Sequence, residues 1–569
     1  MGDASNMRAG AAPAMARAVA LLARAGKLVT SRQPAVTPRQ PHPEFRMSRF
    51  RRVLAVIALA ALPTPVRAQN DPALASRIER VTTRPEFAHA IWGIEVFDAD
   101  LGKPLYAVNA DKLMFPGSTT KLLSAGTALA TLGADHRFHT KIYRTGELTK
   151  DGTLKGDLVL VASGDPNLSQ RMRPDGSLAF EDHDHSYGGS RDTRAVPGDP
   201  LVVIKALAAQ VAAKGVKRIT GRVLVDATLF SEATRELGSG VVIAPISVND
   251  NVLDVTIGPG AKVGDPATIS VSPPTRYVRI VNKTRTVSAD SGISLTSPDI
   301  HPEADGSVTV TQTGGYPLAQ PARLYAFPVP VPSRFATSVL VDALRARGIT
   351  VSEAAVTEKS PDFAALAASY STDHALAEHL SAPATEMIKI ILKVSQNMHA
   401  SAMPLLLGAL YGKAKHQNGY DIEREWLQKE GLDTRGAQQA DGAGGDAHFT
   451  PEFMVSYLAM MAKRPDFAAF HAALPILGRD GTLASIQPQS PAAGKVHAKT
   501  GTFAVGDPLN RGTFVTAKGL AGYTTTASGR HLILAIYVNR VLVPSDEDAI
   551  TRVVGQALGE VAAAAYLVP

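Results

Sequence analysis

The first clear run of apolar positions is Ile91-Trp92-Gly-Ile-Glu-Val-Phe97, followed after a turn at Gly102-Lys103 by Pro104-Leu-Tyr-Ala-Val108, and both runs predict strands. Pro116-Gly117 breaks the pattern. Ser118 then opens an apolar stretch, Leu122 to Leu132, whose spacing predicts a helix. From Thr140 to about Pro330 the character changes to short β-like runs such as Asp157-Leu-Val-Leu-Val-Ala, Arg222-Val-Leu-Val-Asp and Ser307-Val-Thr-Val-Thr, separated by Gly/Pro turns. One amphipathic helix, Val202 to Lys214, interrupts them, with Leu207 and Val211 on a face that reads as core.

Helical spacing returns after Pro332, predicting helices over Ala336 to Arg347, Ala375 to His379, Thr385 to Lys393 and Ala400 to Leu410. Ser395 and Asn397 fall between the last two, where a short connector can point both side chains one way. Gly494-Lys-Val-His-Ala-Lys, Gly519 to Thr526 and His531 to Val538 predict strands, the last two joined by a hairpin at Ala527-Ser-Gly-Arg530, and a helix over Asp546 to Tyr566 closes the chain. The expected organisation is one α/β domain made by both ends, 69–140 and 332–569, around a mostly β insertion over 141–331 of one or two modules. A chain of 569 residues is long enough to need more than one hydrophobic centre.

The net charge of +7 would suggest a polyanionic partner if it were spread over the chain. It is not. Residues 1–68 hold 11 of the 59 Lys+Arg and 2 of the 52 Asp+Glu, leaving 48 against 50 for the rest, so no nucleic-acid partner is expected. Within that leader, Arg49, Arg51 and Arg52 precede an apolar run from Val53 to Leu62, a Pro63/Pro65 break and Val66-Arg67-Ala68. This order predicts a signal peptide over 47–68, cleaved before Gln69, and an exported, periplasmic or extracytoplasmic protein. Residues 1–46 are then expected to be a disordered extension upstream of a true start at Met47. No later run approaches the roughly 20 apolar residues of a membrane span, so at most peripheral membrane contact is expected. The chain has no cysteine, which excludes thiol catalysis and Cys-based zinc sites.

Three strings carry chemistry: Ser118-Thr-Thr-Lys121, Ser395-Gln-Asn397 and Lys499-Thr-Gly501-Thr502. Each alone reads as a cap or a turn, and only the ordered set points to an acyl-transferring serine. Lys121, one helical turn from Ser118, can take its proton if burial and a neighbouring charge, supplied by Lys499, keep it neutral. The backbone N–H groups of Ser118 and Thr502 could form an oxyanion hole, Ser395 could relay a proton, and Asn397 could fix Lys121 and a substrate amide. Gly501 leaves room for an extended ligand along the strand. Glu181-Asp-His183-Asp-His185 looks metal-like but reads as a solvated loop, and Asp165 reads as a turn former. No metal or cofactor is expected.

The three strings resemble those of the penicillin-binding serine D-alanyl-D-alanine carboxypeptidase/endopeptidases, in the low-molecular-mass layout with a large insertion between the first two motifs. Ser163-Gly-Asp-Pro-Asn-Leu168, Asp441-Gly-Ala-Gly444 and Leu477-Gly-Arg-Asp-Gly-Thr-Leu483 extend the resemblance to roughly 75–565. It implies a penicillin-binding-protein-like fold, an antiparallel sheet flanked by helices. It also implies Ser118 as acylated nucleophile, Lys121 as base, Ser395 and Asn397 as the second-motif pair, and Lys499, with Thr500, Gly501 and Thr502, as the site for a terminal carboxylate. The implied substrates are peptidoglycan stem peptides, with β-lactam antibiotics as acylating inhibitors. A β-lactamase or esterase on the same scaffold, and a non-catalytic peptidoglycan-binding protein, are the alternatives. Two departures stand out: Ala447 occupies the position where relatives often carry an arginine, and Ala504 to about Val515 lengthens the link after Thr502.

Overall fold

The computed structural model describes residues 70–352, 361–413 and 418–569. The expected extension and signal peptide lie outside the described residues. Asp71 caps the first helix through Leu74 N at 2.8 Å, with Pro72 at its first position. In chain order, the elements that build the site are helix α1 (Pro72–Thr82), strands β1 (Ile91–Asp98) and β2 (Lys103–Val108), and helix α2 (Lys121–Leu132). After the insertion come helices α3 (Ala384–Lys393), α4 (Asn397–Tyr411) and α5 (Pro451–Met461), strands β3 (Val496–Asp507), β4 (Gly512–Thr525) and β5 (His531–Pro544), and helix α6 (Gln556–Tyr566).

The five strands pair antiparallel in the order β2-β1-β5-β4-β3, so the last strand of the chain closes against the first. Alternation along β5 explains its apolar run from Leu532 to Val538. Leu532, Leu534, Ile536 and Val538 pack in one core with Ile78 of α1 and Val561 of α6, while Ile533, Ala535 and Tyr537 pack in another with Leu122 of α2 and Leu458 of α5. A strand covered on both faces has no position left for water, and each buried Leu or Ile stabilises the sandwich by about 1.5–3 kcal/mol.

The insertion builds its own core from strands His139–Arg144, Leu158–Val161 and Val223–Asp226 with helix Val202–Ala213, whose Leu207 and Val211 are fully buried. Helix Pro332–Ala346 packs into that same core through Phe335, Leu340 and Leu344, so this packing continues past the expected boundary at 331. Ala375–Leu380, expected as a helix over Ala375 to His379, is a strand paired antiparallel with His139–Arg144, Glu378 standing opposite Lys141. A segment this short gains little from helical hydrogen bonds, and the free edge of a neighbouring strand decides its conformation.

Two features near the C-terminus differ from the sequence expectation. Residues Ala504 to Val515 are not a separate link: they prolong β3 and β4 into one hairpin whose pairing runs from Val496–Thr524 to Asp507–Gly512. The closing helix is divided, with a π-helical turn at Ile550–Gly555 before α6.

Candidate active site

Gly117–Thr120 forms a 3₁₀ turn that runs directly into α2 at Lys121. Thr119 and Thr120 donate their hydroxyls back to Pro116 O and Gly117 O at 3.0 and 2.9 Å, which fixes the turn and leaves Ser118 facing outward. Lys121 is fully buried, and its Nζ meets Ser118 Oγ at 2.7 Å, Asn397 Oδ1 at 2.6 Å, Ser395 Oγ at 3.1 Å and Ala443 O at 3.2 Å. A neutral amine has two N–H groups and one lone pair, so it can donate to Asn397 and Ala443 while accepting the Ser118 hydroxyl.

Burial lowers the Lys121 amine to about 7, against the opposing pull of Glu236, Asp441 and Asp184. The expected influence of Lys499 runs the other way: burial holds Lys499 well below the usual lysine range, and the charges of Lys121 and Lys518 add to this. A base poised near neutrality beside a serine hydroxyl is suited to proton abstraction.

The second string is held by residues far from it in sequence. Ser395 has φ of 64°, a left-handed conformation unusual for a residue with a side chain. Tyr187, from the insertion, donates its hydroxyl to Ser395 O at 2.6 Å and accepts from Asn397 N at 2.9 Å, bracing the backbone on both sides of Gln396. Asn397 is the first residue of α4 rather than part of a connector, and Gln396 caps that helix through Met398 N at 2.7 Å. Gln396 Nε2 in turn donates to Asp184 Oδ1 and Ser186 Oγ at 3.2 and 3.0 Å. Asn397 Nδ2 donates to Glu236 Oε1 at 2.9 Å, and Glu236, nearly buried, accepts from Gly238 N and from Ser239 N and Oγ.

The segment expected as a solvated loop over Glu181–His185 is therefore corrected, since Asp184 and His185 are buried beneath the second string. His185 Nε2 meets Asp250 Oδ2 at 2.6 Å and its Nδ1 meets Asp254 Oδ1 at 2.7 Å, while His399 of α4 meets Asp250 Oδ1 at 2.7 Å. A buried carboxylate shared by two imidazoles ties the insertion to α4. Burial works against the His185 cation, but its bonds to Asp250 and Asp254 push it up to about 10. Among the described residues no group of three or more His, Cys, Asp or Glu is arranged to hold a metal ion. Asp165 makes the expected turn, accepting from Asn167 N at 2.9 Å.

The third string lies on β3. Its approach to the turn at Ser118 demands glycine at 501, because a Cβ there would stand 2.0 Å from Pro116 O and 3.1 Å from Ser118 N. Lys499 is fully buried, its Nζ donating to Ser395 Oγ at 2.8 Å and to Thr500 O at 2.7 Å. Thr500 bonds Thr482 Oγ1 at 2.7 Å, and Lys518 of β4 donates to Thr502 Oγ1 at 2.7 Å. The loop after Asp441 closes the back of the site: Asp441 accepts from Ser401 Oγ at 2.8 Å and Gly445 N at 2.6 Å, presenting Ala443 O to Lys121. Ala447 is fully buried, so nothing from that position reaches a ligand.

These elements border a cleft of about 460 Å³ lined by Ser118, Ser395, Asn397, Thr500, Thr502 and Lys518 together with Asp182 and Tyr187 of the insertion. Every residue singled out for chemistry in the three strings thus meets in one place. Sequence reasoning missed Tyr187, Glu236 and Lys518. Tyr187 lies two residues after the acidic segment, whose density of polar residues was its only signal.

Residues 74–558 match the family model described as D-Ala-D-Ala carboxypeptidase 3 (S13) family. A D-alanyl-D-alanine carboxypeptidase of Actinomadura sp. (strain R39) is 26% identical over 487 residues, spanning 79% of this chain and 82% of that protein. The D-alanyl-D-alanine carboxypeptidase DacB of Haemophilus influenzae is 24% identical over 454 residues, 76% of this chain and 81% of that one. The crystal structure of penicillin binding protein 4 (dacB) from Haemophilus influenzae superposes with a TM-score of 0.64 at 20% identity, covering 86% of this chain and 99% of that chain.

Proposed function

The chain belongs to the D-Ala-D-Ala carboxypeptidase 3 (S13) family, and from that premise we propose that Ser118 is the nucleophile of a serine D,D-peptidase acting on peptidoglycan stem peptides. The observation that carries this reading is the fully buried Lys121 amine 2.7 Å from Ser118 Oγ. Neutral Lys121 accepts the Ser118 proton as Oγ bonds to the carbonyl carbon of the penultimate D-alanine. The backbone N–H groups of Ser118 and Thr502, brought together by the close seating of Gly501, receive the oxyanion. The proton passes from Lys121 through Ser395 to the leaving amine as the C–N bond breaks, Ser395 Oγ lying 3.1 Å from Lys121 Nζ and 2.8 Å from Lys499 Nζ. Asn397 holds Lys121 in register and offers its amide to the substrate. Water, deprotonated by Lys121, then releases the acyl group.

The same attack on a D-amino-acid cross-link gives endopeptidase activity, and on a β-lactam gives a stable acyl-enzyme. One solved relative, penicillin binding protein 4 from Haemophilus influenzae, is described in complex with a novel beta-lactam. Export to the periplasm or another extracytoplasmic space places the enzyme with this substrate. Buried Ala447, standing where relatives often carry arginine, leaves recognition of the stem peptide's third side chain to other residues.

Purified residues 69–569 should take up a labelled penicillin covalently and release D-alanine from a stem pentapeptide. Ser118→Ala should abolish both, and labelling that survives the substitution would refute the assignment. Incubation with cross-linked muropeptides, read by mass spectrometry, separates carboxypeptidase, endopeptidase and binding-only behaviour.

A further inference from the structure

Three lysines converge on the cleft, and they are not equivalent. Lys121 is surrounded by four oxygen atoms. Lys499 is fully buried and donates to Ser395 Oγ and Thr500 O. Lys518 alone lines the cleft.

Its position follows from strand register. Lys518 stands opposite Thr502 across the β3–β4 ladder, so its side chain emerges beside the hydroxyl of the third string, to which Nζ donates at 2.7 Å. The stem passes the π-helical turn, where a Cβ on Gly555 would lie 3.8 Å from Lys518 Cε. One of three N–H groups is used, and two remain for a ligand. No carboxylate among the described residues forms an ion pair with it: Asp182 accepts from Gly481 N at 2.7 Å, and Asp184 is committed to Ser186 and Gln396. Burial lowers this amine to about 8, with no opposite charge acting to raise it. Lys518 is only half-buried, so its amine faces the cleft with no carboxylate beside it, and an anionic ligand entering the cleft supplies the missing counter-charge.

Resting on the acyl-enzyme reading above, we propose that Lys518, with the Thr500 and Thr502 hydroxyls, is the direct contact for the carboxylate on the leaving side of the scissile bond. Lys499 acts from behind, through Ser395. The ligand class is a D-amino acid whose carboxylate sits on the carbon bonded to the amide nitrogen, or the ring carboxylate of a penicillin, placed in the same way. A substrate lacking that carboxylate leaves Lys518 uncompensated, which is how a polar site rejects an analogue.

The test compares acylation by benzylpenicillin and by its methyl ester in the wild type, Lys518→Met and Lys518→Arg, reading the ratio of the two rates. The wild type should prefer the acid. In Lys518→Met the acid-to-ester ratio should fall at least about tenfold, and in Lys518→Arg most of the preference should return, because guanidinium retains the charge. A damaged fold would slow both compounds together and leave the ratio intact; an unchanged ratio in Lys518→Met overturns the proposal. A wild type labelled by neither compound counts against Ser118 acylation alone. Binding of N-acetyl-D-alanyl-D-alanine and its C-terminal amide to Ser118→Ala, with and without Lys518→Met, then decides the role of Lys518. Loss of the preference for the acid supports it, and retention refutes it.

Discussion

Asn397 donates Nδ2 to Glu236 Oε1 at 2.9 Å, and this one bond fixes which end of the amide faces Lys121. With Nδ2 held by a carboxylate, Oδ1 is left to accept from the lysine at 2.6 Å; the flipped amide would set oxygen against carboxylate and N–H against ammonium. Glu236 comes from the insertion, and it acts on the reaction through Asn397 rather than by touching substrate.

Glu236→Gln keeps an acceptor for Asn397 and removes the charge that favours the Lys121 ammonium. Lys121 titrates at about 7, and acylation requires it neutral, so the rate should rise with pH through that value. Asp441 and Asp184 continue to favour the cation while burial opposes it. The acidic limb of penicillin acylation should therefore move to lower pH in Glu236→Gln. A limb that stays in place or moves up contradicts the electrostatic role.

Tyr187→Phe removes the hydroxyl that braces Ser395 O and Asn397 N. Left-handed Ser395 then loses a restraint, and a small displacement of a catalytic group is expensive. The acylation rate should drop by about tenfold or more, while thermal stability falls by only about 0.5–1.5 kcal/mol, the size of an ordinary hydrogen bond, because Tyr187 lies at the surface. Rate and melting curve are read on the same preparation.

Asp250→Asn leaves His185 and His399 without their shared anion. Removing one partner of a buried charge cluster costs about 3–5 kcal/mol, so the melting temperature should fall by several degrees near neutral pH. Burial opposes the Asp250 anion, yet His399 and His185 hold its carboxyl well below the usual range, with Arg171 3.8 Å away. Its contribution is thus present above the ordinary carboxylate pKa and fades as pH falls. The His185 contribution is full below the ordinary histidine pKa and fades as pH rises through about 10. Calorimetry across pH should show the wild-type advantage over Asp250→Asn shrinking towards the acid end.

Gly501→Ala would drive a Cβ to 2.0 Å from Pro116 O, so β3 and the nucleophile turn must separate. Both the Ser118 and Thr502 amides move with that junction. Covalent penicillin uptake should fall at least about a hundredfold, in the range seen when an oxyanion donor is lost. Full uptake by this variant would remove the oxyanion role from the junction.

The pattern of the chain made the central sheet readable because β5 alternates between two cores, which leaves a run with no polar interruption from Leu532 to Val538. Ser118, Lys121 and the third string were readable because the spacing within each string is local. Ala375–Leu380 was not, since its pairing partner lies at His139–Arg144, more than 200 positions away. The same holds for Tyr187 and Glu236, which lie 208 and 161 positions from the Ser395 and Asn397 groups they bond. Lys518 was hidden differently: in sequence it is one lysine on a strand, and only the register with Thr502 gives it a direction.

Tyr187 and Glu236 also bear on how such a protein can change over generations. The stretch between the first two strings has the outward form of cargo spliced into an older enzyme, a part that could be lost or exchanged between lineages. Tyr187 and Glu236 nevertheless hold the backbone and amide of the second string, so excising the stretch would deprive Ser395 and Asn397 of both supports. The geometry of the second string therefore depends on the inner face of loops that lie far from it along the chain, at Tyr187 and Glu236.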